Sequence, residues 1–190
     1  MKKQSIIKLT TSAMLIAIYF VLDRFAAINL MTNQYKLSFI AVIFAAVFLG
    51  PAYAAAVGGL GDLISALIMP TGPYFPGFTV VAALVGLMFG LFLYKKITYP
   101  RMIISVFIAQ VAGTLILNTF NVAFYMVINN IGQALAYPKD LGYFLTIKSI
   151  FISLLATRLL QAGIYFVAEI AFLILLNKLK PNIEKALKLT

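Results

Sequence analysis

Five polar or turn-rich interruptions divide an otherwise apolar chain. They fall at Asn29 to Lys36, at Gly50-Pro51, at Pro70 to Gly77, at Lys95 to Arg101 and over about Asn129 to Lys148. The runs between them are continuously apolar rather than alternating, and a membrane-spanning helix needs roughly 20 such residues. The pattern predicts six helices, near 9–28, 37–50, 52–69, 77–94, 102–128 and 148–177. The Gly50-Pro51 break decides the count. A single helix over 37–69 would be roughly 50 Å long against a hydrocarbon core of about 30 Å. Glycine followed by proline also favours a turn.

Composition strengthens the membrane reading. The 190 residues are 63% hydrophobic and 11% charged, where a soluble domain averages about 45–50% and about 25%. The fold class predicted is an all-α integral membrane protein, one domain over residues 1–190 with six transmembrane helices. No cleavable leader is read at the N-terminus, so the first apolar run is the first helix. Charge then sets the orientation. With the N-terminus inside, the inner side receives Lys2, Lys3, Lys8, Lys95, Lys96, Arg101, Lys178, Lys180, Lys185 and Lys188. The outer side receives Arg24, Lys36, Lys139 and Lys148, and Arg158 lies within a helix. That bias obeys the positive-inside rule and predicts cytoplasmic N- and C-termini. It also accounts for the net charge of +10 without nucleic acid.

Several chemistries lack their materials. There is no cysteine and no histidine, so thiolate metal sites, disulfides and the commonest general base are absent. No G-x-x-x-x-G-K-[ST] phosphate loop is present, which excludes ATP use by that route. The glycine-rich "GGLGD" from Gly58 to Asp62 lacks the lysine, and its expected role is close helix packing.

Polar groups within the apolar runs are the candidate functional residues, because an ionisable group mid-membrane costs about 2.5–3.5 kcal/mol on insertion scales. Asp62 falls in the third helix; Arg158 and Glu169 fall in the sixth. Arg158, Gln161, Tyr165 and Glu169 recur at i, i+3, i+7 and i+11, which puts them on one face. Arg158 either binds an anionic ligand group in a pocket open to the outside or forms an ion pair with Asp62 or Glu169. Asp62 and Glu169 read first as structural partners. Arg24, beside Asp23, reaches the same outer mouth, whereas Lys36 reads as an ordinary helix-end lysine. Asn118 and Asn121, with Tyr125, share a face in the fifth helix and either tie helices together or bond a heteroaromatic ligand. Tyr74 and Phe75 stand between prolines in "PTGPYFPGFTV", Pro70 to Val80. Prolines lower the entropy of ordering such a loop over a ligand, and its flat aromatics suit a planar one. Ala13 and Ala17 form a small-residue pair that lets another helix approach, in this chain or in another protein.

These residues also carry a resemblance. "PTGPYFPGFTVVAALVGLMFGLFLY" from Pro70 to Tyr94, "LDRF" at Leu22 to Phe25, "LNT" at Leu117 to Thr119 and "ATRLL" at Ala156 to Leu160 resemble the substrate-binding (S) components of energy-coupling factor (ECF) vitamin transporters, in particular the folate-type branch. The resemblance implies a bacterial cytoplasmic-membrane protein that binds a vitamin beneath its outer loops. It implies partners as well: a membrane T component, docked at Ala13 and Ala17, and two cytoplasmic ATPase subunits that use the ATP. The S component would topple in the membrane to deliver its vitamin, and no cofactor is expected in this chain. Departures from the branch include "AAINLMTNQYKLSF" in the first outer loop and Gln161, where a lysine is common. They leave folate and pantothenate both open as the vitamin. Other classes, a membrane-embedded enzyme or a channel, find little support in three intramembrane ionisable groups without histidine or cysteine.

Overall fold

The computed structural model describes residues 2–30, 33–71, 74–130 and 141–187. Helices α1 (Lys2–Arg24), α2 (Phe39–Phe48), α3 (Pro51–Ile68) and α4 (Pro76–Leu93) are followed by a long helical rod and by α7 (Leu141–Leu187). The rod comprises α5 (Tyr99–Ile108), a π-helical segment (Ala109–Asn118) and α6 (Thr119–Asn130). Among the described residues, five helical stretches are long and apolar enough to cross a membrane: Gln4–Arg24, Pro51–Ile68, Pro76–Leu93, Tyr99–Tyr125 and Arg158–Ile183. The protein is thus a multi-pass, helical membrane protein.

Local chemistry explains where helices begin. Proline occupies the first turn of α3, α4 and α5, where its missing N–H is not needed and its fixed φ suits the helix. Gly50 has φ 107°, a region that favours glycine, and the chain turns there from α2 into α3. The break expected at Gly50-Pro51 is therefore present.

Three expectations need adjustment. The loop expected between the first two helices contains a small antiparallel hairpin, β1 (Ile28–Leu30) with β2 (Asn33–Tyr35), pairing Ile28 with Tyr35. The second helix has 10 residues rather than the fourteen positions expected over 37–50, so it is only about 15 Å long. It tolerates that length because it is enclosed: seven of its residues, including Ile43, Ala45 and Ala46, are buried. The last helix starts at Leu141 and runs on to Leu187 with Pro181 inside it, beyond the 148–177 expected. Of the break expected at Asn129 to Lys148, residues 131–140, Lys139 among them, lie outside the described residues, as do Gly72, Pro73 and Lys188, and its two ends are helical.

The core is built on Ile43, Val57, Phe89, Leu93, Met102, Val106 and Leu173. Its tightest seam joins α3 and α4. A Cβ at Gly58 would lie 2.5 Å from the Ala82 carbonyl oxygen. At Gly86 and Gly90 it would collide with the backbone of Ala54 and of Pro51. Gly86 and Gly90 are four apart, a small-xxx-small pair that brings two backbones together. The packing role expected for "GGLGD" is thereby seen at Gly58, and Gly61 likewise receives the Tyr19 ring.

Gly86→Val should therefore separate α3 from α4. Overpacking of this kind costs about 1–3 kcal/mol, read as a lowered Tm in detergent. Gly163, with nothing within 4 Å, is the control, and Gly163→Ala should leave Tm unchanged or raise it slightly.

Candidate functional site

The polar face of α7 looks into a cavity of about 570 Å³, lined by Arg158, Gln161, Tyr165 and Glu169 together. Such a volume suits a small-molecule ligand. The cavity has an exposed end, where Gln34, Pro70, Thr71 and Tyr74 lie, and a buried end at Phe89 and Glu169. Helix α4 supplies an apolar wall of Phe78, Val81, Val85 and Phe89, and α2 adds Val42.

At the exposed end the α7 stripe holds the hairpin. The Arg158 Nη1 donates to Gln161 Oε1 at 2.8 Å, and Gln161 Nε2 donates to the Gln34 carbonyl at 3.0 Å. The Tyr165 hydroxyl accepts from the Lys36 backbone N–H at 2.6 Å and donates to the Lys36 carbonyl at 3.2 Å. Gln161 is buried and works chiefly as a bracket between Arg158 and the hairpin. Arg158 itself forms no ion pair among the described residues, and its Nε has no hydrogen-bond partner. Neither Asp62 nor Glu169 is its partner, so the structural alternative for Arg158 is not the arrangement present.

The ion pairs centre instead on Asp23, which is 1% exposed. Lys36 Nζ approaches its carboxylate at 3.0 Å and Arg24 Nε at 3.3 Å, and the Ser38 hydroxyl donates at 3.4 Å. Lys36, read from the sequence as an ordinary helix-end lysine, is thus fixed at the cavity wall. Arg24 also reaches the Pro70-to-Gly77 stretch, through Nη1 to Thr71 Oγ1 at 3.0 Å. A second tie starts at Tyr74, whose hydroxyl lies 3.2 Å from Thr79 Oγ1; Thr79 donates to Asp62 Oδ2 at 2.8 Å. Two buried or half-buried carboxylates, Asp23 and Asp62, therefore anchor the rim of the cavity.

Of the residues expected at a site, Arg24, Tyr74, Phe75, Asn118, Arg158 and Gln161 line the cavity. Phe75 does so while its ring rests on Phe78, Phe124 and Tyr125 at 5.8–6.1 Å. Asn121 does not line it; its side chain packs where a Cβ on Gly77 would stand. Ala13 and Ala17 are exposed on α1, away from the cavity. The sequence reading missed Gln110 and Thr114, which line the buried end from the π-helical segment. Thr114 donates to Gln110 Oε1 at 2.8 Å, and Gln110 Nε2 donates to Glu169 Oε2 at 2.9 Å. Their i, i+4 spacing inside an apolar run was the available signal.

A helical membrane protein with a ligand-sized cavity, charged at its rim and apolar along its wall, has the build of a small-molecule binder. The comparison with known families makes that specific: the chain belongs to the substrate-specific components of ECF transporters, whose family model matches residues 7–175. That family is part of a transporter and is not an enzyme family. The folate transporter FolT of Clostridium novyi (strain NT) is 34% identical over 108 residues, 56% of this chain and 63% of the relative. The match thus spans a little under two thirds of that relative. A crystal structure of FolT bound with folic acid superimposes over 86% of each chain, with a TM-score of 0.64 and 24% identity. At that identity the likeness establishes the fold.

Asp23→Asn should loosen the rim. Breaking a buried ion pair costs about 3–5 kcal/mol, and the 27% exposure of Lys36 puts the expected loss near the lower bound. Thermal unfolding should show it, together with faster amide exchange across Ile28–Tyr35. Lys36→Met should cost less, because Arg24 remains on the carboxylate.

Proposed function

We propose that the chain is the folate-binding S component of an ECF importer. Its six helices, α2 included, would form the membrane domain, with both termini in the bacterial cytoplasm and the Tyr74 rim outside. The T component and two ATPase subunits would supply the energy, and toppling of the bundle would carry the vitamin inward. The observation that carries the reading is Arg158: a guanidinium in a cavity wall with an unused Nε and no carboxylate paired to it among the described residues. An uncompensated cation in such a place is best satisfied by a ligand carboxylate.

Folate is favoured over pantothenate by what surrounds that cation. Gln161 removes a charge from α7 relative to the folate-type pattern, but Arg24 and Lys36 line the same cavity and supply cationic character from α1 and the hairpin. Both are held on Asp23, so a second ligand carboxylate would share them with that residue while the first meets Arg158. The apolar wall of Phe78, Val81, Val85 and Phe89 suits flat rings better than a hydroxylated aliphatic chain. The matched relative and the matched structure are both FolT, which supports the same choice.

Arg158→Ala should weaken folic acid binding by at least about 30-fold, since removing one partner of a desolvated charge pair costs 2 kcal/mol or more. Quenching of tyrosine fluorescence in detergent measures it, and unchanged affinity in folded protein contradicts the role. The exposed Ala13 and Ala17 give a separate expectation. Ala13→Trp or Ala17→Trp should block co-purification with the T component and leave folic acid affinity unchanged, whereas loss of both would place the pair in the internal packing.

A further inference from the structure

The cavity is polar at both ends, and the two ends differ in chemistry: guanidinium, amide and ion-paired groups at one, a carboxyl and an amide at the other. Arg158 and Glu169 stand eleven residues apart on one face of α7, about 16 Å along the axis. Between them the wall opposite is apolar, from Phe78 to Phe89. At the buried end Glu169 is 3% exposed, and the Gln110 amide is its one hydrogen-bond partner among the described residues. No cation lies within ion-pair distance of it among those residues. An ionised carboxyl group offers about four acceptor positions and a protonated one keeps its carbonyl acceptor, and a buried polar group left short of partners is costly. Gln110 is itself held in place by Thr114, so the pair is rigid and its free acceptors border the cavity.

We propose that Glu169, oriented by Gln110, receives the N–H-bearing edge of the ligand's ring, and that these two residues set specificity for a heteroaromatic ligand that donates hydrogen bonds. The inference rests on the folate reading and deepens it. An elongated ligand then lies along α7 with its carboxylates at Arg158 and its amino-substituted ring at the closed end, flanked by Phe89 and Val85. Glu169 is thus a binding residue and Gln110 a positioning residue. A purely apolar floor would accept any flat ring; a carboxyl floor rejects one that lacks donors, because its acceptors would remain unpaired.

The test compares Glu169→Gln with wild-type protein, using folic acid and p-aminobenzoylglutamate, which keeps the carboxylates and lacks the bicyclic ring. Affinities are taken by competition for bound folic acid in detergent. The expected result is a loss of at least about tenfold for folic acid with p-aminobenzoylglutamate unchanged. Equal loss for both compounds, or no loss for either, overturns the proposal. Should Glu169→Gln not fold, Gln110→Met serves in the same comparison, with the same selective loss expected and the same two outcomes against it. Wild-type protein that binds p-aminobenzoylglutamate but gains nothing from the ring also overturns the ring's placement while leaving the anion site at Arg158 standing. Wild-type protein that binds neither compound overturns the folate reading itself, and this inference with it.

Discussion

A polar stripe on a membrane-spanning helix must face protein or water. Helix α7 carries a guanidinium, an amide, a phenol and a carboxyl group on one face, and hydrocarbon can satisfy none of them. The bundle meets the constraint by turning that face inward and leaving space in front of it. Gln161 and Tyr165 are then satisfied by the hairpin and the residue after it, and Glu169 in part by Gln110. Arg158 is satisfied only in part, through Gln161. The cavity is the space that this arrangement leaves, and its chemistry follows from which groups the protein completes and which it leaves open.

Two devices in the helices create that space without weakening the whole. The glycine seam between α3 and α4 draws two helices to backbone contact, so the core there is as dense as the chain allows. On the other side the π-helical segment Ala109–Asn118 widens the helical rod between α5 and α6, and π geometry is frequent at functional sites. It sets Gln110, Thr114 and Asn118 along the cavity. The rim differs in kind, being held by charges and hydrogen bonds to Asp23 and Asp62.

Much of this could be read from residue order. The i, i+3, i+7, i+11 stripe required only a regular helix, and α7 is regular there, so all four residues fall together. The helix starts marked by Pro51, Pro76 and, one residue in, Pro100 were written in local chemistry. What escaped depends on geometry between segments. Asn121 was grouped with Asn118 by α-helical spacing, but Asn118 lines the cavity while Asn121 packs against Gly77, a neighbour that only the fold supplies. The Asp23–Lys36 pair joins the end of one helix to a hairpin that hydropathy alone could not distinguish from a loop. The depth of Glu169 depended on which helix faced α7, and only the fold supplies Gln110 as that neighbour.

The central claim is that this cavity takes an elongated, anionic, ring-bearing vitamin with its carboxylates on Arg158. Calorimetric titration of the purified protein in detergent, with folic acid in one arm and pantothenate in the other, tests it most directly. The account predicts saturable one-to-one binding of folic acid that pantothenate does not displace. Absence of saturable folic acid binding, or one-to-one binding of pantothenate in its place, would contradict it.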